Sequence, residues 1–418
     1  MLNRVTFSTV VVGILFMGQP AWATTYFADA LLPGNDSNNG TSESTPFRTA
    51  GKCMKSAIIA GDTCLIKNGT YSNEGLIVLT HGGASGSPIT IKNYPGHSPK
   101  ISWSDITSTN SRIVFAPGSS VCSSSPPGYV VFEGLEIDGA YNGFKIDCAH
   151  NLTFRGNHIH NTWYPGILIP AGFNITIDRN RIHHTGDFTG AIDPVTGASH
   201  THAVYVVGKG YIITNNVIYD SYLYGLHLAA KPLGISPAPN TDYSGFQGLV
   251  ANNTIAYTVT RGGIGLWDSG GGLSNTNIEN NLFYENSQNY GSSAQAIDYV
   301  SCGACVATIR NNIWYGTGNS AVFSTSSALN PPAGVSVTNT RNDNPLMVNA
   351  PTNLPATPDF RLTSGSGAID HGVDLRSVGI TTDFIGSPRP QGTTFDVGAH
   401  EFSSDTGSPS PPQGLQVR

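Results

Sequence analysis

Two histidines and an aspartate stand at related places in a repeated stretch of the chain and could perform acid–base chemistry. His202 and His227 are separated by 25 residues, and Asp298 follows further along. An imidazole that faces a carboxylate across an open slot can remove or supply a proton, which is the task of a general acid or base. Whether these side chains are neighbours depends on the repeat that carries them.

A recurring asparagine marks that repeat. Each such asparagine has an apolar residue three positions before it and another two positions after it. Successive asparagines are separated by 23, 36, 37, 28 and 31 residues. These separations predict a coil of about 22 residues with loops of different lengths inserted. In one earlier coil Leu135 takes the asparagine's place. The asparagines are Asn157, Asn180, Asn216, Asn253, Asn281 and Asn312.

Short strands suit this repeat better than helices, because the unit is short and rich in β-branched residues and glycine. Parallel stacking of equivalent strands pairs each coil with the next and buries a continuous apolar column. We therefore predict an all-β parallel β-helix in which the asparagine amides stack about 4.8 Å apart. The alternative is an unrelated asparagine-rich β-sandwich.

The chain ends differ in composition from the repeats. Residues 1–23 carry Arg4, a short apolar run and an Ala-Trp-Ala sequence, which predicts a signal peptide and a secreted or periplasmic protein. Residues 24–402 are then the β-helix domain, and the Ser/Pro-rich residues 403–418 a flexible tail. Within the domain we expect an N-terminal cap with the first coils, the asparagine-ladder coils and a C-terminal cap, at 24–100, 129–342 and 343–402.

The N-terminal cap is expected to contain a strand at Thr25–Ala28 and an amphipathic helix within 47–60, laid across the open end of the solenoid. Six cysteines fall as local pairs, although six allow 15 connectivities. In this arrangement a Cys53–Cys64 bridge would join the helix to the first strand. The other local pairs are Cys122 with Cys148 and Cys302 with Cys305.

Charge argues against some classes of partner. Without residues 1–23 the chain has 20 Lys and Arg against 27 Asp and Glu, a net charge of −7, and only 11% of the whole sequence is charged. A folded acidic chain of this kind is not expected to bind nucleic acid. No later segment resembles a membrane span. We expect a monomer that binds polysaccharide.

Both ends of the domain carry short motifs outside the repeat. The N-terminal motifs are GNDSNNGT at 34–41, PFRT at 46–49, AGD at 60–62, GTY at 69–71 and PITI at 88–91. The C-terminal motifs are DFRL at 359–362, AID at 368–370, DFIGSPR at 383–389 and DVGA at 396–399. These segments resemble those of secreted right-handed parallel β-helix proteins of the pectate-lyase-like superfamily. The resemblance implies a right-handed solenoid with a substrate groove along one sheet, but superfamily members include lyases, hydrolases, epimerases and proteins without known activity.

One strand of each coil can be aligned by its alternating pattern, and long insertions at about 185–201 and 230–246 flank this sheet. The alignment predicts an outward column of Lys145, Leu168, Val204, His227, Gly265 and Asp298, with Tyr205 facing the core. Gly265 would leave a notch between His227 and Asp298. The predicted catalytic residues are His227, His202, Asp298 and Lys145, and the predicted substrate-binding residues are Trp267, Tyr224, Lys231 and Asp268.

A second column lies three residues after the ladder and contains Asp138, His160, His183 and Tyr219. Asp138, His160 and His183 could together hold a divalent metal ion. The alternative is incidental stacking, because each coil of a solenoid resembles the last. Oxygen-bearing residues at 36–40 resemble a calcium loop, and the alternative there is a turn held by side-chain to backbone hydrogen bonds. No cofactor is certain, and calcium is the candidate.

The expected reaction is lysis or C5-epimerisation of an acidic polysaccharide, which needs a base beside a cation. His227 or His202 would be the base. Glycoside hydrolysis needs two carboxyl groups, for which Asp298, Asp268 and Asp147 are available, so a hydrolase acting on a less charged polymer is an alternative. A non-catalytic carbohydrate-binding or surface scaffold is another.

Overall fold

The computed structural model shows a parallel β-helix built from three sheets, A, B and C, which each coil visits in that order. It describes residues 22–72, 74–116, 122, 125–186, 201–232, 243–287, 296–301, 305–316, 323–325, 331 and 333–403, with backbone alone at 299–301 and 323–325. Two strands continue from sheet C into sheet A, so these two sheets are joined.

Sheet A consists of β1 (Thr25–Ala28), β2 (Thr63–Ile66), β5 (Ile89–Asn93), β8 (Gly128–Glu133), β11 (Ala149–Arg155), the second parts of β13 (Ile167–Asp178) and β15 (Val204–Thr214), β18 (Phe246–Ala251), β21 (Thr276–Glu279), β24 (Ala307–Arg310) and β27 (Val335–Thr338). Sheet B consists of β3 (Gly69–Ser72), β6 (Pro99–Ser102), β9 (Glu136–Asp138), β12 (His158–Thr162), β14 (Arg181–Thr185), β16 (Val217–Ser221), β19 (Thr254–Ala256), β22 (Leu282–Tyr284), β25 (Ile313–Tyr315) and β28 (Arg341–Asn342). Sheet C consists of β4 (Ile77–Leu79), β7 (Arg112–Phe115), β10 (Asn142–Ile146), the first parts of β13 and β15, β17 (Leu226–Ala230), β20 (Ile264–Asp268), β23 (Ile297–Ser301) and β26 (Phe323–Thr325). An antiparallel pair, β29 (Met347–Asn349) and β30 (Asp359–Leu362), follows the coils.

The core is a continuous column of inward-facing apolar side chains. Successive residues of a strand point to opposite faces, so alternate Ile, Val, Leu and Phe residues enter the interior. Phe132 and Phe154 illustrate the stacking: their rings are parallel to within 12° with centroids 5.3 Å apart, and both are completely buried. The predicted fold is confirmed.

The asparagine ladder lies at the turn from sheet A to sheet B. The side-chain oxygen of Asn216 accepts hydrogen bonds from the backbone N (2.9 Å) and the side-chain Nδ2 (3.0 Å) of Asn180. Asn216 repeats this pattern on Asn253, and the ladder runs unbroken from Asn157 to Asn312. Each rung satisfies amide groups that the turn would otherwise bury unpaired. The predicted ladder is confirmed.

The residue before each rung adopts the left-handed conformation that makes the turn sharp. Arg179 and Asn215 have φ values of 56° and 55°, and Gly156 has 61°. Asparagine tolerates this region better than most residues, which explains the Asn-Asn pairs at 215–216, 252–253, 280–281 and 311–312.

The N-terminal helix α1 (Ala50–Ser56) is shorter than the segment in which it was expected, and Thr49 is its N-cap, accepting from the Lys52 amide. The Cys53–Cys64 bridge forms. Cys64, however, lies on β2 and not on the first strand, β1. The bridge can reach β2 because α1 packs against both of these strands. Cys122 and Cys148 are also bridged. Cys302 lies outside the described residues, so its predicted pairing with Cys305 stays a prediction.

The C-terminal segment 343–403 packs along the outer face of sheet B. Phe360 packs against Tyr219 with ring centroids 5.4 Å apart, and Asn252 Nδ2 donates to the carbonyl of Asp396 at 2.9 Å. A completely buried ion pair between Arg389 and Glu401, 2.5 Å apart, holds the segment together. We call residues 343–403 the C-terminal strap. Residues 1–21, most of the predicted signal peptide, and the tail beyond 403 lie outside the described residues.

Among the described residues, the only α-helix is the short α1, and no helix there is long and apolar enough to cross a membrane.

Candidate active site

The structure joins His202 and His227 directly. Nδ1 of His227 lies 2.8 Å from Nε2 of His202, a hydrogen-bond distance, and the ring centroids are 4.4 Å apart. His202 precedes β15, and its Nδ1 lies 3.3 Å from the backbone N of Tyr224, which donates to it. His202 is therefore the acceptor at Nδ1 and carries its proton on Nε2, from which it donates to His227.

Aromatic rings enclose the pair. Tyr205 packs edge-on against His227 with centroids 4.8 Å apart, and Tyr224 stacks on His202 at 5.5 Å. Both tyrosines and both histidines are buried, whereas Trp267, 5.6 Å from His227, is 43% exposed. Trp267 thus presents the aromatic surface to which a sugar ring could bind. Tyr224, predicted to bind substrate, instead packs within the cluster.

The column that contains His227 differs by one residue from the prediction. Tyr205, not Val204, pairs with His227, and Val204 pairs with Leu226 inside the core. The prediction for Tyr205 and Val204 is wrong because the alternating pattern places His202, one residue too early, at the start of the strand. That place belongs to Ala203, since the position needs a small residue: a Cβ at the equivalent Gly225 would lie 2.5 Å from Ile255 Cγ2.

The predicted notch beside Gly265 is filled. A Cβ placed on Gly265 would lie 2.7 Å from ring atoms of Tyr224, so the Tyr224 ring occupies the space between His227 and Asp298. Asp298 Oδ2 accepts from the Gly262 amide at 3.1 Å, and its carboxylate also bonds the Tyr224 side chain. Burial and then the charge of Asp298 raise the pKa of Tyr224 above its ordinary value. The imidazole–carboxylate slot is therefore a packed Tyr224–Asp298 contact.

Cationic side chains lie on two sides of the cluster. The Lys231 Nζ is 5.2 Å from the centroid of the Tyr205 ring, a cation–π distance, and Lys231 is exposed. Arg261, also exposed, is close enough to Tyr224 to influence its ionisation. These side chains bring positive charge to the histidines.

Two other predicted residues do not join the cluster. Lys145 lies in the same column but three strands from His227, about 14 Å away, and forms an ion pair with Asp147. Asp268 Oδ1 accepts hydrogen bonds from the amides of Gly270 (2.8 Å) and Gly272 (3.0 Å), which stabilises the turn after β20. The central parts of the predicted flanking loops, 187–200 and 233–242, lie outside the described residues.

The second predicted column forms on the outer face of sheet B. Asp138, His160, His183 and Tyr219 occupy equivalent positions of consecutive strands, as predicted. The rings of His160 and His183 are parallel to within 6°, with centroids 5.1 Å apart. Asp138, however, bonds Lys100 Nζ at 2.6 Å and Asn161 Nδ2 at 2.7 Å. Its Oδ1 also lies 3.3 Å from His160 Nδ1, so the carboxylate already has three protein partners.

His158, which is not among the predicted site residues, completes a cluster with His160 and His183. Ring nitrogens of the three lie within 4.8 Å of one another, and Nε2 of His158 is 2.9 Å from Nε2 of His183. Burial lowers the pKa of His158 to about 3 and that of His183 to about 2. Strand alternation could have found His158, because it and His160 flank the inward-facing Ile159.

Glu136 lies beside this cluster. Its Oε1 is 3.2 Å from His160 Nε2 and 3.2 Å from Lys100 Nζ. The hydrogen bond with His160 is the main reason why the pKa of Glu136 falls to about 2.

The loop at 36–40 is a turn held by hydrogen bonds. Asp36 Oδ1 accepts from the amides of Arg48 (2.9 Å) and Thr49 (3.0 Å), and its Oδ2 accepts from Thr49 Oγ1 (2.9 Å). Both carboxylate oxygens are thus engaged at the start of α1. This geometry fits the alternative to a calcium loop.

Comparison with known proteins agrees with this architecture. The family model described as right handed beta helix region matches residues 53–346. No curated protein matches the chain in sequence. The chain is similar in fold to solved structures of a glycoside hydrolase (9% identity, 76% of this chain and 96% of that chain covered, TM-score 0.53), pectate lyase Pel9A (17%, 92% and 98%, 0.49) and a rhamnogalacturonan lyase (14%, 82% and 97%, 0.43).

At these sequence identities, similarity to the solved structures indicates a shared fold and nothing about activity. The family model covers more than half of the chain, including the end of α1 and the whole asparagine ladder. The chain therefore belongs to the family described as right handed beta helix region.

Proposed function

We propose that the protein is a carbohydrate-active enzyme that cleaves or epimerises an acidic polysaccharide on sheet C. The observation that supports this most is the hydrogen-bonded His202–His227 pair, which is packed against Tyr205, and Lys231 lies over that same ring. Two groups that can exchange protons, an imidazole and a phenol hydroxyl, thereby lie close to a cation.

Both reactions begin with the same step. A base removes the proton on the sugar carbon next to the carboxylate, and the electron pair moves into that carboxylate as an enolate-like system. In a lyase the electrons then form a carbon–carbon double bond as the glycosidic C–O bond breaks, and the leaving oxygen takes a proton. In an epimerase a proton returns to the opposite face of the carbon. A cation close to the carboxylate stabilises the intermediate charge.

The geometry suggests a role for each group. His227 accepts a hydrogen bond from His202 at Nδ1, so its own proton is on Nε2, and it is the proposed proton donor. The hydroxyl of the adjacent Tyr205, in its deprotonated form, is the proposed base. Lys231 and Arg261 are the proposed partners of the sugar carboxylate, and the exposed Trp267 is the proposed stacking platform.

The chain carries net negative charge, which disfavours a polyanionic substrate at long range. Screening confines that effect, because exposed charges more than about 8–10 Å apart interact weakly at physiological salt. Local positive charge from Lys231 and Arg261 therefore has the larger influence on a bound uronate.

Hydrolysis has less support from the described residues. Asp147 is paired with Lys145, Asp268 is bonded within a turn, and Asp298 is bonded to Tyr224 and Gly262. A glycoside hydrolase needs two carboxyl groups about 5–9.5 Å apart across the scissile bond. All three carboxylates are instead engaged by other groups of the protein.

The test is a panel of pectate, alginate and glycosaminoglycans incubated with the purified protein. Lysis would raise ultraviolet absorbance through unsaturated ends, and epimerisation would change the uronate signals in NMR spectra without cleavage. We expect one of these signals, and we expect His227→Ala to reduce it by about 10²–10⁴-fold. His184→Ala is the matched control, because His184 lies on sheet B. New reducing ends without absorbance would contradict the proposal and favour a hydrolase, whereas binding without any product would favour a scaffold.

A further inference from the structure

The histidine cluster on sheet B has the composition of a metal site. His158 and His160 project outward from β12, and His183 projects outward from the next strand, β14. Because both strands belong to the rigid stack, the three imidazoles are held together by the backbone and not by a mobile loop. We propose that His158, His160 and His183 bind one divalent transition-metal ion, such as zinc.

The distances between the nitrogens suit this role. Zinc binds imidazole nitrogens at about 2.0–2.1 Å, so two ligands of a tetrahedral site lie about 3.3 Å apart. In the cluster the His158 and His183 Nε2 atoms are 2.9 Å apart, and all three ligand atoms lie within 4.8 Å of one another. Side-chain adjustments of about 1 Å would therefore complete the three bonds.

A fourth ligand for the metal ion is available on the same face of sheet B. Glu136 Oε1, 3.2 Å from His160 Nε2, could supply a carboxylate ligand. A cavity of about 210 Å³ also borders His158, and Glu136, Arg155 and Arg181 contribute to its walls. This volume is enough for several water molecules, so water or a small anion could instead take the fourth position.

The surrounding charges indicate which class of ion binds. The carboxylates of Glu136 and Asp138 already have a cationic partner in Lys100, at 3.2 Å and 2.6 Å, and Arg181 lies close to the histidines. Calcium and magnesium depend on oxygen ligands and negative charge, which this arrangement does not supply in excess. Imidazoles suit zinc, nickel and copper.

The experiment is isothermal titration calorimetry of the full chain, freed of metal with a chelator and without an affinity tag, using zinc chloride and, separately, calcium chloride. We expect one zinc per chain and no calcium at this site. His158→Ala should lower zinc affinity by about 100-fold or more, because even residues that only orient metal ligands contribute about 10–100-fold. His184→Ala, one residue beyond the cluster, should bind zinc like the unmodified protein.

A second variant separates metal binding from packing. His183→Phe keeps an aromatic ring in a column where Tyr219, Tyr284 and Tyr315 already occupy equivalent positions, but it removes the nitrogen ligand. It should fold normally, by circular dichroism, and bind zinc at least about 100-fold more weakly. Stoichiometric zinc binding retained in His183→Phe, absence of zinc binding by the unmodified protein, or calcium binding abolished by the same variants would each overturn the proposal. None of these outcomes bears on sheet C, so the two proposals fail separately.

Discussion

Single asparagine residues fix the register between neighbouring coils of this solenoid. Asn216 is completely buried, and each of its polar groups bonds a neighbouring coil: the amide donates to Ile177 and Asn253, and the oxygen accepts from Asn180. A buried donor or acceptor left unpaired costs about 1–3 kcal/mol. The ladder therefore selects one register and penalises any slip.

We predict that Asn216→Ala lowers the free energy of unfolding by about 2–4 kcal/mol, because the Asn180 amide and the Ile177 carbonyl lose their partner. Denaturant-induced unfolding followed by circular dichroism would measure this. Asn277→Ala, at an exposed strand position, is the control and should change stability by no more than about 0.5 kcal/mol. Equal stability of the two variants would mean that the ladder does not stabilise the fold.

Residue identity also shows what the sequence could and could not predict. The ladder and the column of Asp138, His160 and His183 were predictable, because both follow from a fixed offset within each coil. The Tyr205 column was predicted one residue off, since Ala203 serves as the small residue that glycine supplies in other coils. The placement of the Tyr224 ring over Gly265 depends on side-chain rotamers, which an alternating pattern does not specify.

At the scale of elements, the C-terminal strap extends the protein's hydrophobic core outside the coils. Phe360 on β30 is 3% exposed and packs on Tyr219 and Tyr257, which lie on the outer side of sheet B. The motifs of this segment predicted a closing element. They did not specify the side of the solenoid that it covers, because that depends on which coils present outward apolar residues.

We predict that Phe360→Ala destabilises the strap by about 3 kcal/mol, since it removes a buried ring and leaves a cavity. Limited proteolysis should then cut within 343–403 well before the coils. Val348→Ala, which truncates an exposed residue of the same strap, should leave the cleavage rate unchanged. Simultaneous cleavage of strap and coils in Phe360→Ala would contradict a separately docked strap.

The strap should also make stability depend on pH through His400. Burial lowers the pKa of His400 to about 3, from an ordinary value of 6.5, and its Nδ1 has no hydrogen-bond partner among the described residues. The folded protein therefore keeps His400 neutral while the unfolded chain takes up a proton below pH 6.5. The corresponding stability is fully present above pH 6.5 and is lost as the pH falls toward 3.

This linkage predicts a loss of about 1.4 kcal/mol per pH unit between pH 6 and 4 from His400 alone. His400→Phe should show a shallower decline over that interval, measured as unfolding free energy against pH. Above pH 7 the two proteins should show parallel profiles. An unchanged slope in the variant would show that His400 is not the group that titrates.

At the scale of the whole molecule, the parallel stack explains why chemistry can reside on two different faces. Sheet C carries the His202–His227 pair, and sheet B carries His158, His160 and His183. Each set comes from consecutive coils that a fixed strand spacing of about 4.8 Å brings together. The architecture was predictable because every repeat contains the same pattern of apolar residues and asparagine. The site residues were only partly predictable, because the loops and the side-chain orientations differ from one coil to the next.

The most direct test of the central proposal is the rate of product formation from uronic-acid polymers by the unmodified protein, His227→Ala and His202→Ala, each shown to be folded by circular dichroism. We predict unsaturated or epimerised product from the unmodified protein and a loss of about 10²–10⁴-fold in His227→Ala, with His202→Ala also impaired. Full activity in both variants would contradict the assignment of the catalytic site to this histidine pair.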